Sequence, residues 1–393
     1  MKTLRRFRRL CQVLLVTAVA GGFMLNTWVN PWRVTEMPWS SERLDAYRDI
    51  ERDFSRTCKA GLAGSEPWDA AVLGSSRVDI GIDPLSPGFG AWKTVNLGLN
   101  AGLLDENKAA FDYFMGQQDS PKLVLFFVDA GDLTMPSNRN GQGLGDFATS
   151  PLNPGSAGVE RILRYHFGVS ALASSVSTLR RAMGQQPATY SPRGFREVAE
   201  RLEHPRQQIS GLYLSTIVRM ARTRSSYDNV DPRKMEQLRE VISRCREKNT
   251  QLIFVMPPNH ALFQIAFKEI GGTDPLFLRD RRELAELAAE ANRIAPTAKP
   301  VRFWDFQDGH PLNTEVLPSE GQMKNWIDLF HFTPDVGEEM LAAMLEGRSD
   351  YGTMLSPDRV SEHVETIRSD LDRWSAEHPE NLSFLRESLK NFE

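Results

Sequence analysis

The sequence predicts an α/β fold built on a mostly parallel sheet. Two features predict it: short apolar runs that end in Gly, Asp or Asn, and amphipathic helical segments between them. A third feature, an apolar N-terminus behind a basic cluster, places that domain outside a membrane. The chain has 393 residues, 41% hydrophobic and 25% charged, which is enough to pack a large core.

"MKTLRRFRRL" carries Lys2, Arg5, Arg6, Arg8 and Arg9, and residues 11 to 29 hold no charge. A run of about 20 apolar residues spans a bilayer as a helix. The basic cluster stays in the cytoplasm. The expectation is a single-pass anchor in the inner (cell) membrane over residues 1–30, with the rest of the chain periplasmic. The rival is a cleaved signal peptide, since Ala18 to Ala20 reads as a small-residue cleavage site. The apolar run continues past that site through Phe23, Met24, Leu25 and Trp28, which favours the anchor. In the juxtamembrane segment 31–64, Leu44, Tyr47, Ile50 and Phe54 recur at helical spacing. They predict one amphipathic helix over 40–60.

Residues 65–350 read as the α/β domain. "WDAAVLG", "WKTVNLGLNAG", "PKLVLFFVDAGDL", "TQLIFVMPPNH" and "VRFWDFQD" predict five strands. The third is a continuous apolar run, as expected of a parallel strand buried on both faces. "ENKAAFDYFMGQ" predicts a helix between the second and third strands. Residues 134–248 read as a helical insertion. It holds a loop rich in Gly, Pro, Ser and Asn, then the helical "VERILRYHFGVSALASSVSTLRRAM", then a second loop, "QQPATYSPRG". It closes on a charged amphipathic helix from Pro232 to Lys248. "DRRELAELAAEANRI" predicts a further helix, and "DVGEEMLAAML" another after a turn. Residues 351–393 read as C-terminal helices. Ser356 is placed to cap the first, with Pro357 at its first position. Val360, Val364, Ile367, Leu371 and Trp374 form its apolar stripe.

Charge excludes one class of partner. The chain has 47 basic and 51 acidic residues, a net charge of −4. Without the five N-terminal cations, 42 basic residues face 51 acidic ones, and the body carries −9. It has no basic patch with interleaved aromatics, so no nucleic-acid partner is expected. Cys11 precedes the apolar core and lacks a lipoprotein context. Cys58 and Cys245 fall in an oxidising compartment, where a disulfide and two buried thiols are both open readings. His166, His204, His310, His363 and His378 show no ligand spacing, so no metal is expected. "GDLTMP" and "GQGLGD" lack the lysine of a phosphate cradle, and no cofactor is expected.

In open α/β sheets the working residues lie at the carboxyl ends of strands. Those ends read Gly74-Ser75-Ser76-Arg77, Asn96 to Gly102, Asp129-Ala130-Gly131-Asp132, Pro257-Pro258-Asn259-His260 and Trp304-Asp305. "DLFH" adds Asp328 and His331, three residues apart. A serine nucleophile needs a base, an orienting carboxylate, and donors aimed at the developing oxyanion. Ser76 follows a glycine at a strand-to-helix turn, His331 is a candidate base, and Asp328 is its candidate orienting acid. The competing reading makes Ser76 a helix cap. Arg77 either binds an anionic substrate group or pairs with Asp79, Asp83 or Asp129. Asp129 either binds a hydroxylated substrate or braces its turn. His260 either binds a substrate head group or belongs to turn structure.

The Gly-Ser-Ser block with a late Asp-x-x-His resembles the SGNH (GDSL-like) hydrolase superfamily. Gly74-Ser75-Ser76 matches its G-D-S block, with Ser75 in place of Asp. The combination "VLGSSRVDIGIDP", "NLGLN", "LFFVDAGDL", "FVMPPNHALF", "FWDF" and "DLFHF" is similar to membrane-anchored bacterial members. Those include proteins serving D-alanylation of teichoic acids and acetylation of alginate. The resemblance covers residues 65 to 346, loosely through the insertion. It implies a flavodoxin-like SGNH three-layer sandwich. It also implies an acyl-serine esterase or O-acyltransferase acting on an envelope or secreted polysaccharide, with a membrane acyl-donor protein as partner. The second block supplies a backbone donor to the oxyanion, matched here by Gly98 or Gly102. The third block supplies an Asn side chain, and Asp129-Ala130-Gly131-Asp132 has none. A carboxylate does not donate, so Arg77, Asn100, Asn259 and His260 are the candidate replacements. That gap supports the other reading, a non-catalytic envelope assembly or glycan-binding component.

Overall fold

A computed structural model describes residues 2–35, 37–134, 145–156, 158–198, 203–209, 214–215, 218, 230–271 and 275–392. Residues 135–144 of the Gly/Pro-rich loop, including most of "GQGLGD", lie outside the described residues. So does most of 199–229. In chain order the helices are α1 (Lys2–Val29), α2 (Ser55–Gly64), α3 (Ser76–Gly81), α4 (Leu104–Gln117), α5 (Gly158–Phe167) and α6 (Val169–Gly184). Then come α7 (Pro205–Gln208), α8 (Pro232–Glu247), α9 (Ala261–Gly271), α10 (Pro275–Ile294), α11 (Pro334–Leu341), α12 (Val360–Glu377) and α13 (Pro379–Lys390). Cα proximity divides the chain into two units. One is Met1–Glu66 with Gln142–Gly194; the other is Pro67–Gly141 with Phe195–Glu393.

In the first unit α1 is a single helix. Its stretch Thr3–Val29 is long and apolar enough to cross a membrane, and only 11% of its most apolar window is buried within the protein. The helix expected over 40–60 does not form as one piece. Two 3₁₀ turns, Glu42–Tyr47 and Arg52–Phe54, precede α2. Tertiary bonds break the helical pattern at Arg48 and Asp49. The Arg48 guanidinium donates to Val29 O (2.9 Å) and Ser41 O (2.8 Å). The Asp49 carboxylate accepts from Thr189 Oγ1 (2.9 Å) and from the N–H of Tyr190 (3.3 Å). Seven of the eight residues 40–47 are exposed or half-buried; they offer less than these bonds, and local periodicity loses. The segment "VERILRYHFGVSALASSVSTLRRAM" is helical but splits at Gly168, which caps α6 in an extended conformation.

The second unit is built on a six-stranded sheet of order β2-β1-β3-β4-β5-β6. Its strands are β1 (Ala70–Leu73), β2 (Thr94–Asn96), β3 (Leu123–Phe127), β4 (Gln251–Met256), β5 (Arg302–Asp305) and β6 (Thr353–Met354). The first five pair in parallel, with Val72 opposite Asn96, Leu73 opposite Phe126, and Met256 opposite Asp305. β6 pairs antiparallel to β5 and was not expected from the sequence. Two residues are too few to leave a periodic signal. β2 and β3 flank β1 on opposite sides, so the strand order reverses at β1. Such a reversal opens a crevice at the carboxyl ends of the two strands.

Side-chain alternation gives the sheet two packed faces. Val72, Leu125, Phe127, Ile253 and Val255 join a core with Val78 of α3, Phe263 of α9 and Val336 of α11. On the other face Phe126 lies edge-on between Phe254 and Phe111 of α4. In α12, Val360, Val364, Ile367 and Trp374 are buried, as their spacing predicts. Cys58 and Cys245 are free and buried, so no disulfide joins them, and burial pushes both thiols up.

Candidate active site

β1 ends at Leu73, and α3 begins at Ser76 after only Gly74 and Ser75. A Cβ on Gly74 would stand 2.6 Å from Val78 Cγ2 and 2.8 Å from Phe127 Cβ, so this tight turn requires glycine. The two serines divide the work. Ser75 is the N-cap, its Oγ accepting from the Arg77 N–H (3.4 Å). That leaves the Ser76 hydroxyl for another partner, and the cap reading of Ser76 falls.

The partner is His331. Ser76 Oγ lies 2.8 Å from His331 Nε2, across 255 residues of sequence. His331 Nδ1 lies 2.7 Å from Asp328 Oδ2. Asp328 and His331 lie in a turn ahead of α11. Trp326 and Phe332 form an antiparallel bridge, and Asp328 closes the turn between them. Its Oδ1 accepts from the N–H groups of Phe330 (2.6 Å) and His331 (2.7 Å). Burial alone would raise the Asp328 carboxyl. The adjacent His331 and these N–H donors outweigh burial and hold it below the usual carboxylate range. The ionised carboxylate keeps the proton on Nδ1 and leaves Nε2 free to accept from Ser76.

Arg77 lies beneath this pair and is 1% exposed. Its Nε donates to Phe330 O (3.0 Å), one Nη to Asp129 (3.2 Å), and the other to Pro258 O (2.8 Å) and Asn259 Oδ1. Its guanidinium carbon sits 3.9 Å over the Phe330 ring. Of the partners the sequence offered, the structure selects Asp129. Arg77 is thus a brace across the switch between β1 and β3, not a substrate contact. Asp129 remains at the rim of the crevice, its N–H held by Asp132 Oδ2 (3.0 Å).

Two oxyanion candidates are corrected. The Gly98 N–H donates to Asn96 Oδ1 (2.9 Å), and the Gly102 N–H donates to Leu99 O (2.8 Å). Both glycines spend their donors closing the loop after β2. Asn100 is half-buried at that loop's tip. Asn259 is 2% exposed; among the described residues nothing accepts from its Nδ2. The roles of Phe330 O and Pro258 O had no sequence signal, because main-chain carbonyls carry none.

His260 is also corrected. Its ring is fully buried, edge-on to Trp326. Nε2 donates to Glu315 O (2.8 Å), and Nδ1 accepts from the Leu262 N–H (3.1 Å). Both nitrogens serve the fold, and neither reaches substrate. Burial pushes His260 down to about 4, from an ordinary 6.5. Between those values the unfolded chain binds the extra proton, so stability falls as pH drops through that window. At about 1.4 kcal/mol per pH unit the loss is on the order of 3 kcal/mol. Urea midpoints at pH 7 and pH 4.5 measure it. An equal midpoint drop in His260→Gln would assign the acid sensitivity elsewhere.

Comparison with protein-family models finds no match, and no curated protein matches the chain.

Proposed function

We propose that this protein is a membrane-anchored extracytoplasmic serine esterase or O-acyltransferase of the SGNH type. One observation carries the reading: the unbroken path Ser76 Oγ to His331 Nε2 (2.8 Å) and His331 Nδ1 to Asp328 Oδ2 (2.7 Å). It sits at the carboxyl end of β1, where ligands bind in open α/β sheets. Ser76 Oγ attacks an ester carbonyl while His331 Nε2 takes its proton. The tetrahedral intermediate collapses, and His331 returns the proton to the departing alcohol. The acyl-serine then passes its acyl group to water or to a sugar hydroxyl, whose proton returns through His331 to Ser76. The anchor and the resemblance favour an envelope or secreted polysaccharide as acceptor or substrate. A membrane acyl-donor protein would supply the acyl group in the transferase case.

The oxyanion is assigned the Ser76 N–H and the Asn259 side-chain amide, which stands in for the missing third-block Asn. Asn259→Asp keeps an acceptor for Arg77 but cannot donate. It is expected to slow acylation about 100-fold or more. An unchanged rate would remove Asn259 from the site.

The test is a fluorophosphonate probe on full-length protein in mild detergent. Labelling is expected, and it is lost in Ser76→Ala. Folded protein that does not label would overturn the enzyme reading in favour of a glycan-binding component.

A further inference from the structure

The first unit carries an apolar face that the Ser76 site does not use. In α5, Val159, Ile162, Leu163 and Phe167 fall on one helical stripe, and all four are exposed. Val169, which opens α6, is exposed too. A surface helix in water turns such a stripe inward. Here the opposite face meets the protein. Arg164 donates to Thr149 Oγ1 (2.6 Å), and the Tyr165 hydroxyl donates to Thr149 O (3.2 Å). The buried Tyr165 ring stands edge-on to Trp32 at 5.7 Å.

α5 is fastened to α1. Phe167 stacks on Phe23 with centroids 5.1 Å apart and borders a groove lined by Leu15, Val16, Val19 and Ala20. Asn26, buried near the end of α1, donates to His166 O (3.0 Å) and accepts from Ser175 Oγ (3.1 Å). A polar side chain on an apolar helix needs such partners within hydrocarbon. Phe167 and Phe23 thus join the stripe to the exposed Leu15, Val16 and Val19 of α1.

We infer that α5 is an interfacial helix, its Val159–Ile162–Leu163–Phe167 face sunk into the outer leaflet beside the anchor. This rests on the reading of α1 as a membrane span. Phe23 lies six residues before Val29, so its partner Phe167 sits roughly 9 Å below the end of α1, at 1.5 Å per residue. Interfacial helices bury their apolar faces to about that depth. Lipid is the occupant because the stripe continues the surface that acyl chains already cover on α1.

The experiment uses full-length protein with Cys11→Ser, reconstituted into phosphatidylethanolamine–phosphatidylglycerol vesicles. Cys58 and Cys245 are buried and do not compete for label. Single cysteines at Ile162 or Val16 carry an environment-sensitive fluorophore. Both labels are expected to be quenched by acyl-chain doxyl lipids and protected from aqueous iodide. Iodide quenching at 162, with lipid quenching at 16, would overturn the inference and leave the anchor standing. Loss of lipid quenching at both positions would overturn both. A disulfide between two Ile162→Cys chains in the bilayer, with no lipid quenching there, would assign the face to a second copy instead.

Discussion

Asp328→Asn is expected to slow acylation of Ser76 by about 10³–10⁴-fold while leaving the fold intact. The size of the effect follows from how the carboxylate is held. One oxygen of Asp328 already accepts from the N–H groups of Phe330 and His331, and the other faces His331 Nδ1. An asparagine must keep its single carbonyl oxygen on the two backbone donors, since turning the amide would set its NH₂ against them. Its NH₂ then points at His331 Nδ1, which must become an acceptor. The imidazole proton moves to Nε2, and a protonated Nε2 cannot take the proton of Ser76. The serine remains in place and loses its base. Fluorophosphonate labelling rates give the magnitude, and ¹⁵N shifts of the imidazole report which nitrogen carries the proton. Labelling at the native rate would show that Asp328 braces the turn without setting the tautomer. Because the two backbone donors keep their acceptor, unfolding midpoints near neutral pH are expected to move little.

The parts of this arrangement differ in how openly the sequence shows them. β1, β3 and β4 were legible because each is an apolar run, and burial on both faces leaves no competing pattern. The approach of Ser76, His331 and Asp328 was legible because a hydroxyl, an imidazole and a carboxylate are side-chain chemistries that the sequence shows directly. The division of labour between Ser75 and Ser76 was not legible. It depends on which hydroxyl the turn at Gly74 directs at the Arg77 N–H. Gly98 and Gly102 look alike as donors until the loop's own closures are known. The helix expected over 40–60 has a sound local pattern. It is overridden by Arg48 and Asp49, whose partners lie up to 141 residues away. The same distance effect concealed the setting of Arg77, whose neighbours come from the ends of β3 and β4 and from the Asp328 turn.

Arg77→Met is the second large effect, expected at about 3–5 kcal/mol of lost stability. Methionine fills much of the same volume, so the cost is electrostatic. The buried guanidinium is the common donor for Phe330 O, Pro258 O, Asn259 and Asp129. Removing it strands these acceptors together, with the Asp129 charge only 15% exposed. Arg77→Lys recovers only part of the loss, because one ammonium cannot present a planar fork to acceptors on three chain segments. Stability alone would not separate a structural brace from a positioning role. Phe330 is the residue before His331, so releasing its carbonyl also frees the base from its approach to Ser76. Misplacement by about 1 Å costs on the order of 100-fold in rate. The double variant Arg77→Met with Asp129→Asn distinguishes the two. It removes the stranded charge, so the urea midpoint is expected to recover in part while labelling of Ser76 stays slow. If rate and stability recover together, Arg77 only balances Asp129. If the rate stays low in a refolded, stabilised protein, the arginine sets the geometry of the pair that stands above it.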